Sequence, residues 1–226
     1  MKYGNSSQLG IWYNNNMKSI YDIKLNSCDG EADFLGQYKG KVTLVVNTTT
    51  DCGNAPQFAP LQKLRDKYFD QGFDIVAIPT NDYCGPTITY GKWADGIKAG
   101  SDSRDFATEE YNVSYKFSEM VSSNPGPGSP NAEEKTFGEP HELYKEIQSQ
   151  MQLINSNNPE QGGTGTYMFG NFEKYLVNRD GYVVKHFVNG TLINYSAENG
   201  ANGSPVQAGT DEEEFNNISR AIEELL

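Results

Sequence analysis

Val42-Thr43-Leu44-Val45-Val46, followed by Asn47-Thr48-Thr49-Thr50-Asp51-Cys52-Gly53, decides the fold. The apolar run reads as a strand buried on both faces, as central strands of covered sheets are. The polar stretch after it ends the strand. A helix follows. Pro56 is tolerated in a first turn, and Phe58, Leu61, Leu64 and Tyr68 recur at helical spacing. Pro60 lies near the start, where it disturbs little, and Gly72 stops the helix. Phe73-Asp74-Ile75-Val76-Ala77-Ile78 reads as a second strand, halted by Pro79. Strand, helix and strand in succession imply parallel strands joined by a right-handed crossover. Cys52 then falls between the end of a buried strand and the start of a helix. A helix start offers unpaired N–H groups and a partial positive charge, which favour the thiolate. The thiolate is the nucleophilic form of cysteine.

Working outward, residues 1–18 read as a polar, Asn-rich extension. Ile20, Ile23 and Leu25 suggest a strand that turns at Cys28-Asp29-Gly30 to make a hairpin. Downstream, Thr80 to Gly100 is loop-rich, with Gly85-Pro86 as a breaker, and a helix carries Phe106 and Tyr111. Ser122 to Pro140 is dense in Pro, Gly, Ser and Asn and reads as a surface insertion, spanning about 118–140. A helix over 141–153 carries Leu143, Ile147 and Leu153. Tyr175-Leu176-Val177 and Tyr182-Val183-Val184, joined by Asn178-Arg179-Asp180-Gly181, form a β-hairpin. A second polar insertion covers 196–210. The chain closes on an amphipathic helix through Phe215, Ile218, Ile222 and Leu225, with Glu212, Glu213 and Glu214 in its first turn. One domain, 19–226, accounts for all of this.

Composition removes several function classes. The 226 residues carry 30 acidic and 18 basic side chains, a net charge of −12. That balance argues against nucleic acid or an anionic membrane surface as a partner. No apolar run reaches the roughly 20 residues that span a bilayer, and the start lacks a secretory pattern, so a cytoplasmic location is expected. Cys28, Cys52 and Cys84 make neither a disulfide framework nor a CxxC pair, which disfavours zinc. The two histidines, His141 and His186, sit in no hydrolase motif.

The residues resemble those of the glutathione peroxidases, thiol peroxidases of thioredoxin fold. The resemblance runs through Ser19-Ile20-Tyr21-Asp22, Gln37-Tyr38-Lys39-Gly40-Lys41-Val42, Val46-Asn47, Cys52-Gly53 and Pro56-Gln57. It continues in Gly72-Phe73, Pro79, Asn81 and Leu143-Tyr144-Lys145. It ends in Asn171-Phe172, Lys174 and Leu176-Val177-Asn178-Arg179-Asp180-Gly181 with Val183-Val184-Lys185. It implies a thioredoxin-like, glutathione peroxidase-type α/β fold, with a central mixed sheet flanked by helices.

The resemblance also implies a function: reduction of hydrogen peroxide or organic hydroperoxides through a sulfenic acid at Cys52. Asn171 matches the Asn of a Trp-Asn-Phe motif and is expected to hydrogen-bond the sulfur. Gly170 stands at the Trp position and Pro86 at about the Gln position, so two supporting groups are replaced. Gln57 is the glutamine nearest Cys52 in sequence. Asp51 stands where the family commonly has Lys, which opposes ionisation of the thiol. The resolving-cysteine position of thioredoxin-using members is Ala107. Either Cys84 resolves the sulfenic acid or an external thiol, glutathione or a thioredoxin-like protein, does so. No cofactor is expected. The alternative is a redox-inactive scaffold that docks into a larger assembly through its polar insertions.

Overall fold

The computed structural model describes residues 17–50, 52–82, 99–123, 140–157, 170–189, 192 and 210–226. Most of the N-terminal extension and of both polar insertions, with Asp51, Cys84 and Pro86, lie outside these residues.

Strand β1 (Val42–Thr48) is buried along its whole length. It occupies the centre of a five-stranded sheet of order β3-β2-β1-β4-β5. β1 pairs in parallel with β2 (Phe73–Pro79), and the connection runs through helix α1 (Phe58–Tyr68). This is the strand–helix–strand unit expected from the sequence. β1 pairs antiparallel with β4 (Lys174–Val177), and β4 with β5 (Val183–Phe187), so the sheet is mixed. β3 (Lys116–Phe117), only two residues long, adds a parallel edge to β2 that no sequence pattern announced.

Side-chain alternation divides the core into two layers. Val42, Leu44, Val46, Ile75 and Ala77 point to one face, packed under α1, helix α2 (Gly100–Tyr111) and helix α4 (Thr210–Glu223). Val45, Val76, Ile78 and Val177 point to the other face, covered by helix α3 (Glu142–Asn157) and the segment 20–38. Successive residues of a strand face opposite ways, so one apolar run feeds both layers. The closing helix ends at Glu223, short of Leu225, which packs partly buried against the first layer.

One expectation fails. Ile20, Ile23 and Leu25 do not form a strand of a hairpin. Ile20–Asp22 is a 3-10 turn, with the Ser19 hydroxyl accepting from the Tyr21 N–H. The three apolar residues are buried together in the layer under α3, and packing has taken precedence over alternation. A turn at Cys28-Asp29-Gly30 exists, but Ser27 bridges to Ser118 beside β3 rather than to a hairpin partner.

The β4–β5 turn is fixed by close approach. Gly181 has φ of 87° and lies against Ser19 and the Tyr21 ring, where any Cβ would collide. Its N–H and Asn178 O close the turn at 3.0 Å. No helix among the described residues is long and apolar enough to cross a membrane.

Candidate active site

The junction after β1 carries the thiol. The Cys52 main-chain N–H donates to Thr50 O at 3.2 Å, and the Ala55 N–H donates to Cys52 O at 2.9 Å. A 3-10 turn, Ala55–Gln57, then runs directly into α1. The Cys52 side chain is half-buried and packs against the first core layer. The Asn54 main-chain N–H donates to Cys52 Sγ at 3.3 Å. A helix start has N–H groups with no partner inside the helix, and here one of them is aimed at sulfur. A donor on sulfur favours the thiolate over the thiol.

Asn54 also joins this turn to the one that leads into β4, on the other side of β1. Its Nδ2 donates to Asn171 O at 3.2 Å. The 170–173 segment is held from β1 by one side chain, Asn47. Asn47 Nδ2 donates to Gly170 O at 3.0 Å, and Asn47 Oδ1 accepts from the Glu173 N–H at 2.8 Å. Asn47 O accepts from the Phe172 N–H at 2.8 Å. Phe172 adopts φ of 69°, a conformation that costs a non-glycine residue about 1–3 kcal/mol and persists where its surroundings over-determine it. Its ring packs edge-on to Phe58 with centroids 4.9 Å apart.

The residues singled out in the sequence fare differently. Cys52 and Asn171 are brought to the same junction, linked through Asn54. Asn171 is buried, and its Oδ1 has no hydrogen-bond partner among the described residues. Cys84 and Pro86 lie outside the described residues. Gly170 is buried, and a Cβ on it would collide with Asn189 Nδ2, so the Asn189 amide fills the space next to the glycine. Gln57 is fully buried one turn into the helical segment, and its Nε2 donates to Asn189 O at 2.6 Å. Ala107 is a core residue of α2. Asn47, Asn54 and Asn189 were missed. Asn47 stands in a motif of the resemblance that gave it no role, and Asn189 is an ordinary asparagine in an Asn-rich chain. Asn54 had a positional signal, being two residues after the cysteine in a turn that leads into a helix.

Cys28 has a different setting. Arg104 Nη1 lies 3.3 Å from its Sγ, and Arg104 also pairs with Asp29 and Asp105. Burial pushes the Cys28 thiol above its ordinary value. Arg104 pulls the other way and Asp29 adds to the rise.

Behind the site, Lys174 is completely buried on β4, and its Nζ donates to Phe172 O at 2.7 Å. Burial lowers its pKa to about 7, against the pull of Glu173 and Glu214. Glu173 Oε2 and His186 Nε2 lie 2.5 Å apart beside it, with the His186 ring stacked on Tyr175. Among the described residues no group of three or more His, Cys, Asp or Glu side chains is placed to hold a metal.

Comparison with known proteins identifies the family and the fold. Residues 20–129 match the family model described as glutathione peroxidase. The chain is 31% identical over 171 residues to the glutathione peroxidase homolog BsaA of Staphylococcus epidermidis, covering 76% of this chain and 89% of that one. It is 31% identical over 169 residues to the hydroperoxy fatty acid reductase gpx1 of Synechocystis, covering 75% and 86% respectively. In fold it is similar to a crystal structure of apo Trgpx, with TM-score 0.52, 21% identity, and 91% and 96% of the two chains covered. It is likewise similar to a crystal structure of T. cruzi GPX1, with TM-score 0.51, 23% identity, and 80% and 92% covered. The mixed sheet flanked by helices is therefore the thioredoxin-like architecture expected from the sequence.

Proposed function

The chain belongs to the glutathione peroxidase family, and on that premise we propose that it is a cysteine thiol peroxidase acting through Cys52. The observation that carries the reading is the Asn54 N–H directed at the Cys52 sulfur from the head of the helix after β1. Its substrates are hydrogen peroxide and organic hydroperoxides. The name of the Synechocystis relative supports the second class.

The reaction balances as follows. The Cys52 thiolate attacks the hydroxyl oxygen of the hydroperoxide. An S–O bond forms and the O–O bond breaks. Sulfur loses two electrons and the peroxide gains them. The leaving alkoxide takes up the proton that the thiol released, so the products are the Cys52 sulfenic acid and an alcohol, or water from hydrogen peroxide. The Asn54 N–H stabilises the attacking anion. Asn171, anchored to the same turn through its carbonyl, is the side chain assigned to hydrogen-bond the sulfur. A second thiol then attacks the sulfenic sulfur, expels water and leaves a disulfide. That thiol is Cys84 or an external one, from glutathione or a thioredoxin-like protein, and external thiol restores the enzyme. Thiols supply all the electrons, so the scheme uses no metal, flavin or nucleotide.

The test is titration of the reduced protein with peroxide, followed by intact mass and peptide mapping. Fast loss of two hydrogens with a Cys52–Cys84 linkage identifies an internal resolving thiol. Fast gain of one oxygen at Cys52 identifies an external one. Oxidation of Cys52 no faster than a free cysteine overturns the peroxidase reading and leaves a redox-inactive scaffold.

A further inference from the structure

Two arms run from the thiol turn into the core, and both end on one buried cation. Both start at Asn54, whose N–H donates to Cys52 Sγ. In the first arm, Asn54 Nδ2 donates to Asn171 O at 3.2 Å, and the next carbonyl, Phe172 O, accepts from Lys174 Nζ at 2.7 Å. In the second, Asn54 O accepts from the Gln57 N–H at 3.0 Å, and Gln57 Nε2 donates to Asn189 O at 2.6 Å. The carbonyl before that one, Val188 O, accepts from the same Lys174 Nζ at 3.5 Å. Phe172 is gripped at both of its main-chain polar groups, its N–H by Asn47 O and its carbonyl by Lys174, which fixes its left-handed conformation. Lys174 itself is 0% exposed. The carboxylates acting on it are Glu173 of β4 and Glu214 of α4. Of the charged side chains on β5, His186 is paired with Glu173 and Lys185 lies over the Phe187 ring, and β1 carries none.

We propose that Lys174 is a positioning residue for the Cys52 reaction: its buried amine anchors both arms that grip the Asn54 turn, and so keeps the Asn54 N–H on the sulfur. The inference rests on the peroxidase reading. A lysine head carries several N–H donors, so one atom can serve two carbonyls that belong to different strand ends. Hydrogen bonds from a charged donor are about twice as strong as neutral ones. An apolar side chain would fill the same place on β4 at less cost, because a buried charge is a poor source of stability. Burial indeed lowers the Lys174 pKa to about 7. A residue that serves the fold badly and joins the two arms of the site well is explained by the site.

The experiment compares the full chain with its Lys174→Met variant, which removes the donors and keeps the volume. Stopped-flow oxidation of Cys52 by hydrogen peroxide is expected to slow about tenfold, the scale of a lost hydrogen bond to a charged group. The second readout is amide hydrogen exchange by NMR in the reduced protein. The Asn54 amide is expected to exchange about tenfold faster in the variant, while the Leu44 and Ile75 amides of the sheet stay within about twofold. A purely structural role would speed all three together. Oxidation within about twofold of the native chain, or equal acceleration of the Asn54 and sheet amides, overturns the proposal. Should Lys174→Met not fold, Lys174→Gln, which keeps a neutral N–H donor at that position, gives the same two readings with an expected effect of about threefold. If Cys52 of the native chain takes up oxygen no faster than free cysteine, it is the peroxidase reading that has failed, and this inference falls with it.

Discussion

Cys52 and Cys28 are both half-buried, and both pack against the same core layer, yet the donors seen at their sulfurs differ in kind. Cys28 has a full positive charge beside it, Arg104, which is the more obvious way to favour a thiolate. That charge is shared with Asp29 and Asp105, and burial still leaves the Cys28 thiol above its ordinary value. One donor to the Cys52 sulfur is neutral, the Asn54 N–H, which belongs to the backbone of the turn itself. A rigid dipole aimed at one sulfur needs no reorganisation when charge develops there, whereas a flexible guanidinium divides itself among nearby anions. The contrast is consistent with the proposal that the chemistry belongs to Cys52, with Cys28 a packing residue.

The sharpest way to break the contrast is to exchange the two losses. Cys52→Ser should lower peroxide consumption by at least about a thousandfold, as removal of a covalent nucleophile does. Cys28→Ser should leave it within about twofold. Comparable losses in both variants, read by coupled peroxide assays, would remove the distinction.

The next effect concerns the floor of the site. Lys174 holds the carbonyl of Phe172, next to Asn171. Its folded value of about 7 lies well below the 10.5 of an ordinary lysine. Between those values the unfolded chain binds more protons than the folded one, so stability rises with pH across that window, by about 4–5 kcal/mol in total. Below pH 7 both states are protonated and this contribution to the slope vanishes. Above pH 10 the buried hydroxyls of Tyr21, Tyr38 and Tyr115, all pushed upward by burial, reverse the trend. Urea unfolding at pH 7, 8.5 and 10 measures the slope, and Lys174→Met should flatten it.

A smaller effect tests the link between the two halves of the site. Asn54→Ala keeps the main-chain N–H on the sulfur but removes the bond to Asn171 O. We expect a tenfold slower oxidation of Cys52, about 1.4 kcal/mol, with a stability change of about 1 kcal/mol. An unchanged rate in stopped-flow peroxide oxidation would mean that the Asn171 strand does not support the thiol. The smallest effect belongs to Arg104→Met. Loss of the guanidinium should raise the Cys28 thiol further and slow its alkylation by iodoacetamide at pH 8 about threefold, without altering the peroxide rate.

Much of this protein was legible in its sequence because the deciding signals are local. A short, β-branched, mostly apolar run bounded by polar residues fits a strand covered on both sides, and it became the central strand β1. Helical spacing of Phe58, Leu61, Leu64 and Tyr68 needs no distant partner to be read, and the order of motifs carried the family. The position of Cys52 at a strand-to-helix junction follows from those same elements. Tertiary structure decided the rest. Ile20 to Leu25 looked like a strand, but Ile20–Asp22 became a 3-10 turn and Ile23 and Leu25 irregular chain, because the layer under α3 took the apolar side chains together. The two-residue β3 exists only because β2 offers it an edge. The surroundings of the thiol were least legible of all. Asn47, Asn54 and Gln57 lie far in sequence from Asn189 and the 170–173 segment that they hold, and no spacing rule joins them. They act together because β1, α1, β4 and β5 deliver short polar side chains to one junction, where each buried donor must find an acceptor.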